Sequence, residues 1–80
     1  MKLPRDLSAD ALAKRLARYG FSVTRQTGSH LRLTTTQGGE HHVTIPAHSS
    51  LRVGTLNAIL SDVAAHLKKP KEKLIQELFG

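Results

Sequence analysis

The chain contains no cysteine. Disulfide frameworks and thiolate metal sites are therefore excluded, and an intracellular setting is the natural expectation. Aromatic residues are scarce, limited to Tyr19, Phe21 and Phe79. Base stacking on the protein is thus a poor route to nucleic-acid specificity, and shape and backbone recognition suit the composition better. No apolar run approaches the roughly 20 residues that span a bilayer, and Met1-Lys2-Leu3-Pro4-Arg5-Asp6 lacks the apolar middle of a secretion signal. A soluble, cytoplasmic protein with no membrane partner is expected. Negative charge is also sparse: six Asp and Glu stand against twelve Lys and Arg, a net of 12 − 6 = +6 over 80 residues. That excess points first to nucleic acid as a partner, then to an acidic protein, then to an anionic membrane. The length allows one domain, residues 1–80, with one modest core.

What is present is a clear alternation of patterns. Residues 1–7 read as a lead-in. Ser8 is placed to cap a first helix, with Asp10 in its first turn. Ala9, Leu12, Ala13, Leu16 and Ala17 recur at helical spacing, Tyr19 closes the last turn and Gly20 stops it. Lys14, Arg15 and Arg18 lie off the apolar stripe, as a solvated basic face or as phosphate contacts. Phe21–Gln26 reads as a strand with Phe21 and Val23 inward and Ser22, Thr24 and Gln26 outward. Thr27-Gly28-Ser29 is a turn.

The stretch from Gly28 to His48 has period-two alternation on both arms of a hairpin. Leu31 and Leu33 share one face of the first arm; His30, Arg32, Thr34 and Thr36 share the other. Val43 and Ile45 share a face of the second arm, opposite His42 and Thr44. Gln37-Gly38-Gly39 suits the positive backbone angles of the link. If the aliphatic set faces a core, a titratable imidazole and a fixed cation are left side by side on an open polar face. Pro46 ends the third strand. The polar loop from Ala47 to Val53 carries His48 and Arg52. Gly54 and Thr55 open a second helix with Thr55 as its cap, and Leu56, Ile59, Leu60, Val63, Ala64 and Leu67 form its stripe. Pro70 fits the first position of a short last helix whose apolar face is Leu74, Ile75, Leu78 and Phe79. Helix, three antiparallel strands, helix and short helix make a two-layer α+β domain with one bare sheet face.

These residues resemble the HicA-type (YcfA-like) mRNA interferase toxins of prokaryotic toxin–antitoxin systems. The resemblance rests on Gly28-Ser29-His30, on Val43-Thr44-Ile45-Pro46-Ala47-His48, and on Gly54-Thr55-Leu56 with Ile59-Leu60. The leading helix and Tyr19-Gly20-Phe21 also fit. The resemblance implies a double-stranded-RNA-binding-domain-like α-β-β-β-α fold, here with a short extra C-terminal helix. It implies ribosome-independent cleavage of mRNA, with His30 as the catalytic residue. It implies a HicB-type antitoxin that masks this histidine, no direct DNA contact, and neither a metal nor an organic cofactor. Lys69-Pro70-Lys71 departs from the Ser or Thr cap that often opens the family's last helix, and His41-His42 matches no block of it.

The chemistry of such a site can be read from the residues. RNA is cut without a metal when its 2′-hydroxyl attacks the adjacent phosphorus. Imidazole, with an ordinary pKa of about 6.5, can move the protons. Cations or N–H groups must meet the charge that gathers on the phosphate. Arg32 follows His30 by two residues on one strand face, roughly 6–7 Å away at the side-chain base. The expected roles are His30 as general acid or base, Arg32 as phosphate clamp, and Gly28 and Ser29 as a narrow, donor-rich approach. His48, Arg52, Lys14 and Arg18 are further candidate RNA contacts. His42 and His48 are candidates for a second imidazole. A metal site is not expected. His41 and His42 point to opposite faces, His66 has no ligand partner a turn away, and only Glu40 supplies a carboxylate between Gly28 and His48. Two other functions fit the charge: an RNA-binding module that does not cut, and a domain that recruits an acidic protein.

Overall fold

The computed structural model describes residues 3–80; Met1 and Lys2, the start of the expected lead-in, lie outside the described residues. The chain runs through helix α1 (Ala9–Leu16), strands β1 (Ser22–Gln26), β2 (His30–Thr35) and β3 (His41–Pro46), and helices α2 (Val53–Leu67) and α3 (Lys71–Phe79). The strands form one antiparallel sheet in the order β1-β2-β3. This is the α+β arrangement expected, with the extra helix at the end. No helix among the described residues is long and apolar enough to cross a membrane.

The sheet sorts its residues by alternation. Leu31 and Leu33 on β2 and Val43 and Ile45 on β3 are buried against Leu12 and Leu16 of α1, Leu56, Leu60 and Val63 of α2, and Leu74 of α3. His30, Arg32, His42 and Thr44 are exposed on the other face, which no helix covers. Burying each large aliphatic side chain contributes about 1.5–3 kcal/mol, so this sorting dominates the fold.

Strand β1 departs from the expected pattern. Every residue in it is exposed, Val23 to 47%. Val23 stands opposite Leu33, on the core side, but on an edge strand that the helical layer leaves uncovered. The register then shifts between Val23 and Arg25, so that Arg25 pairs with Arg32 and Gln26 with Leu31. Such a β-bulge reverses the alternation beyond it. Gln26 is thereby returned to the helix side, and Arg25 goes to the open face.

Ser8 caps α1 as expected, its hydroxyl accepting from the Ala11 N–H at 3.0 Å. The helix tightens into a 3-10 turn over Ala17–Tyr19, and Gly20 ends it at φ 81°. A side chain at Gly20 would also meet the Thr35 hydroxyl at 2.9 Å. That hydroxyl is fully engaged: it donates to the Tyr19 carbonyl at 2.7 Å and accepts from the Gln37 N–H at 3.1 Å. Thr35, only 1% exposed, ties the end of the first helical segment to the β2–β3 link.

Helix α2 starts two residues before the expected cap. Arg52 takes the cap position with no side-chain hydrogen bond, and Thr55 lies inside the first turn. The reason is Leu51, which is buried and donates its N–H to the Leu7 carbonyl at 2.8 Å, fixing the chain just ahead of the helix. Pro70 likewise caps α3 rather than opening it.

The last helix is held by cations of the first helical segment. Arg15 donates to the Leu78 carbonyl and Arg18 to the Glu77 carbonyl, each at 2.6 Å. Unsatisfied carbonyls at a helix C-terminus carry partial negative charge, and guanidinium groups answer both needs. Arg15 also lies over the Phe79 ring. The Glu77 carboxylate accepts from Lys69 at 2.7 Å and from the Tyr19 hydroxyl. These bonds, Lys69 first and then Tyr19, hold the Glu77 carboxyl down at about 2 instead of 4.5. Burial, and after it the same carboxylate, pushes the Tyr19 hydroxyl up to about 12 from 10.0.

Gly20→Ala should destabilise the protein by about 1–2 kcal/mol or more, since it forces a Cβ into the left-handed region and against Thr35. Denaturant unfolding reads this as a lowered midpoint with unchanged slope. Glu77 binds its proton more weakly folded than unfolded, so its contribution is present above pH 4.5 and is lost as pH falls toward 2. Tyr19 holds its proton more tightly folded, so its contribution is present below pH 10 and is lost as pH rises toward 12. Melting temperatures across pH should therefore fall in both windows. Glu77→Gln should flatten the acid limb, and Tyr19→Phe the alkaline one.

Candidate functional site

The site begins in the short turn between β1 and β2. Thr27 organises it. Its N–H donates to the His30 carbonyl at 2.9 Å, and its hydroxyl accepts from the N–H groups of Ser29 at 3.3 Å and His30 at 3.0 Å. A threonine hydroxyl that gathers backbone N–H groups in this way fixes a turn locally. His30 is thus held at the first residue of β2. Nothing in the sequence pattern marked Thr27 beyond its place in a turn. Gly28, at the tip, has no atom within 4 Å of where a Cβ would stand, so the approach past it is bare.

The His30 ring is exposed and joined to its neighbour, with Ser29 Oγ 2.9 Å from Nδ1. A hydroxyl can donate to Nδ1 or accept from it. In the first case the neutral ring carries its proton on Nε2, which can then only donate a hydrogen bond. In the second, Nε2 carries the lone pair and is a base. Nε2 has no hydrogen-bond partner among the described residues. Two residues along, Arg32 is exposed on the same face. Among the described residues it has no carboxylate within ion-pair distance.

Two other expected residues follow in the chain from this end of the sheet. His30 pairs with Pro46 across the strands, and Ser29 accepts from the Ala47 N–H at 2.9 Å. His48 is therefore only two residues past the partner of His30, and Arg52 follows at the start of α2. Both are exposed. His48 also lines a half-open cleft of about 380 Å³ with Ser8, Asp10, Gln26 and Ser49.

Two expected residues are not brought here. Lys14 and Arg18 belong to the helical layer behind the sheet, and Arg18 is committed to the end of α3. His42 does share the open face with His30, as the alternation required, but it pairs with Thr34. Four residues of strand, roughly 13 Å, separate that row from His30. His42 instead joins a hydrogen-bonded chain: Glu40 Oε2 to His42 Nε2 at 3.1 Å, His42 Nδ1 to Thr34 Oγ1 at 2.7 Å, and Thr34 Oγ1 to Thr24 Oγ1 at 2.8 Å. It cannot act on the same phosphate as His30.

His66 was expected to have no ligand partner a turn away, and it has one. Asp62 precedes His66 by one helical turn. His41 Nε2 lies 3.0 Å from the Asp62 carboxylate, and its ring stacks on His66 with centroids 4.3 Å apart. His66 Nε2 donates to the Gln37 and Gly39 carbonyls at 2.9 and 3.1 Å. The cluster fastens the β2–β3 link to α2. Among the described residues no three His, Cys, Asp or Glu side chains are arranged to hold a metal ion.

The open-face residue most clearly missed from sequence is Arg25. Plain alternation turns it toward the core, and only the bulge brings it opposite Arg32.

A family model described as HicA toxin of bacterial toxin-antitoxin matches residues 9–65. The matched segment runs from the start of α1 into α2 and includes the whole sheet. No curated protein and no solved structure gives a match.

Proposed function

The chain belongs to the HicA toxin family of bacterial toxin–antitoxin systems, and we propose that it acts there as a metal-independent endoribonuclease on messenger RNA. The observation that carries this reading is the setting of His30. Its imidazole is exposed on an uncovered sheet face, engaged at Nδ1 by Ser29, with a cation of the same strand beside it.

The reaction needs little more. The ribose 2′-hydroxyl attacks the neighbouring phosphorus, its proton leaves, and the bond to the 5′-oxygen breaks as that oxygen gains a proton. His30 Nε2 carries one of these transfers; in the exposed site, solvent serves the other. With Nδ1–H donating to the Ser29 hydroxyl, Nε2 is free to take the proton as a base, and the imidazolium that forms keeps the same bond. Arg32 meets the negative charge that grows on the phosphate, where a planar guanidinium can bind two oxygens at once. Bare Gly28 lets the ribose-phosphate chain approach, and His48 and Arg52 contact the flanking backbone. A HicB-type antitoxin is the partner that this reading requires. By covering the open face it would mask His30. The work belongs in the cytoplasm, where mRNA is found.

The test is incubation of the purified protein with RNA in the presence of a chelator. Wild-type protein should cut the RNA, and His30→Ala should lower the rate by about 10²–10⁴-fold, the usual worth of a positioned acid or base. RNA affinity should survive the substitution. RNA bound but left whole by stoichiometric wild-type protein would favour the non-cutting module instead.

A further inference from the structure

The open face carries a second arginine with no structural work to do. The bulge between Val23 and Arg25 places Arg25 directly across from Arg32. Like charges at directly opposed positions of an antiparallel pair destabilise it. Both residues are exposed, and among the described residues neither has a carboxylate within ion-pair distance. The chain has only one acid between Asp10 and Asp62, Glu40. That carboxylate is bonded to His42 at the far end of the face. In the helical layer, by contrast, Arg15, Arg18 and Lys69 have partners on α3.

The bulge is itself held in place. The Thr24 hydroxyl donates to the Arg32 carbonyl at 3.3 Å and meets the Thr34 hydroxyl at 2.8 Å. The extra residue is thus tied to the open face, and the chain resumes its ladder with Arg25 outward. Bulges beside functional sites commonly re-aim one side chain. Here the re-aimed side chain joins His30 and Arg32.

We infer that Arg25 and Arg32 together form a two-guanidinium clamp on the RNA phosphate acted on by His30. This rests on the reading of the open face as the RNA site and adds a residue to it. Paired strand positions lie about 4.5–5.5 Å apart, so two long guanidinium arms converge on one phosphate. Their mutual repulsion is relieved when the anion arrives. In the free protein the pair is a small strain on the sheet, and Arg25 is therefore a binding residue with no stake in stability.

Binding of a labelled single-stranded RNA of mixed sequence tests this, measured in a His30→Ala background over a range of salt. Arg25→Gln should weaken binding about tenfold or more at low salt, as expected for a lost charged hydrogen bond. It should also lower the slope of log affinity against log salt by about 0.7, one phosphate contact on a single strand. Arg32→Gln should do the same. Arg25→Lys should keep the slope and lose part of the affinity, since an ammonium cannot bind two oxygens in a fork. The melting temperature of Arg25→Gln should be unchanged or raised. Unchanged affinity and slope in Arg25→Gln, with both lost in Arg32→Gln, would overturn the clamp. So would a melting temperature lowered by several degrees, which would mark Arg25 as structural. The nuclease reading fails separately: if the protein with His30 intact binds RNA without cutting it while the arginine variants behave as stated, Arg25 and Arg32 remain a phosphate clamp and only the catalytic role of His30 falls. If it binds no RNA, both fall.

Discussion

The alternation of strand β2 is the constraint on which the rest depends. Leu31, Leu33 and Thr35 are buried at 2%, 0% and 1% exposure, and they fix which way every intervening residue points. A slip of one residue would push Arg32 into the core and Leu33 into water. Burying an unpaired guanidinium costs far more than a leucine gains, so the register has no competitor. His30 and Arg32 face outward because their neighbours must face inward. The open face is a consequence of core packing, and no separate device is needed to expose it.

The second theme is how the chain divides its positive charge. In the helical layer Arg15 and Arg18 answer the carbonyls at the end of α3, and Lys69 answers Glu77. Those cations build the fold. On the open face Arg25 and Arg32 have no such partners, and the sheet tolerates them side by side. Arg15, Arg18 and Lys69 thus hold helix ends or a carboxylate, while Arg25 and Arg32 carry no such bond. The five histidines divide in the same way. His41 and His66 pin a turn to α2, while His30 stands free apart from Ser29.

Much of this was legible in the sequence because it follows from local periodicity. The element order, the Ser8 cap, the Gly20 stop, the Gly38-Gly39 link and the two faces of β2 and β3 all come from patterns a few residues long. Other features depend on contacts that no local pattern carries. The hydrogen bonds of Arg15 and Arg18 to α3 span 63 and 59 residues of sequence. His41 finds Asp62 and His66 only through the packing of α2 beside β3. Leu51 reads as part of a polar loop, and only its bond to Leu7, far away in sequence, goes with its burial. The bulge in β1 is the least legible of these features. Ser22 to Gln26 reads as an ordinary alternating strand, and nothing in those side chains announces an extra residue. One misplaced alternation hid Arg25, the residue that completes the cationic face.

Chemical-shift mapping with an RNA whose 2′-hydroxyls are methylated, so that it binds uncut, tests the central claim most directly. If the open face is where RNA lies, the largest backbone shifts fall on Arg25, Ser29, His30, Arg32, Thr44 and His48, and α3 stays quiet. Shifts gathered on the helical layer around Lys14, Lys71 and Lys73, with the open face unmoved, would contradict it.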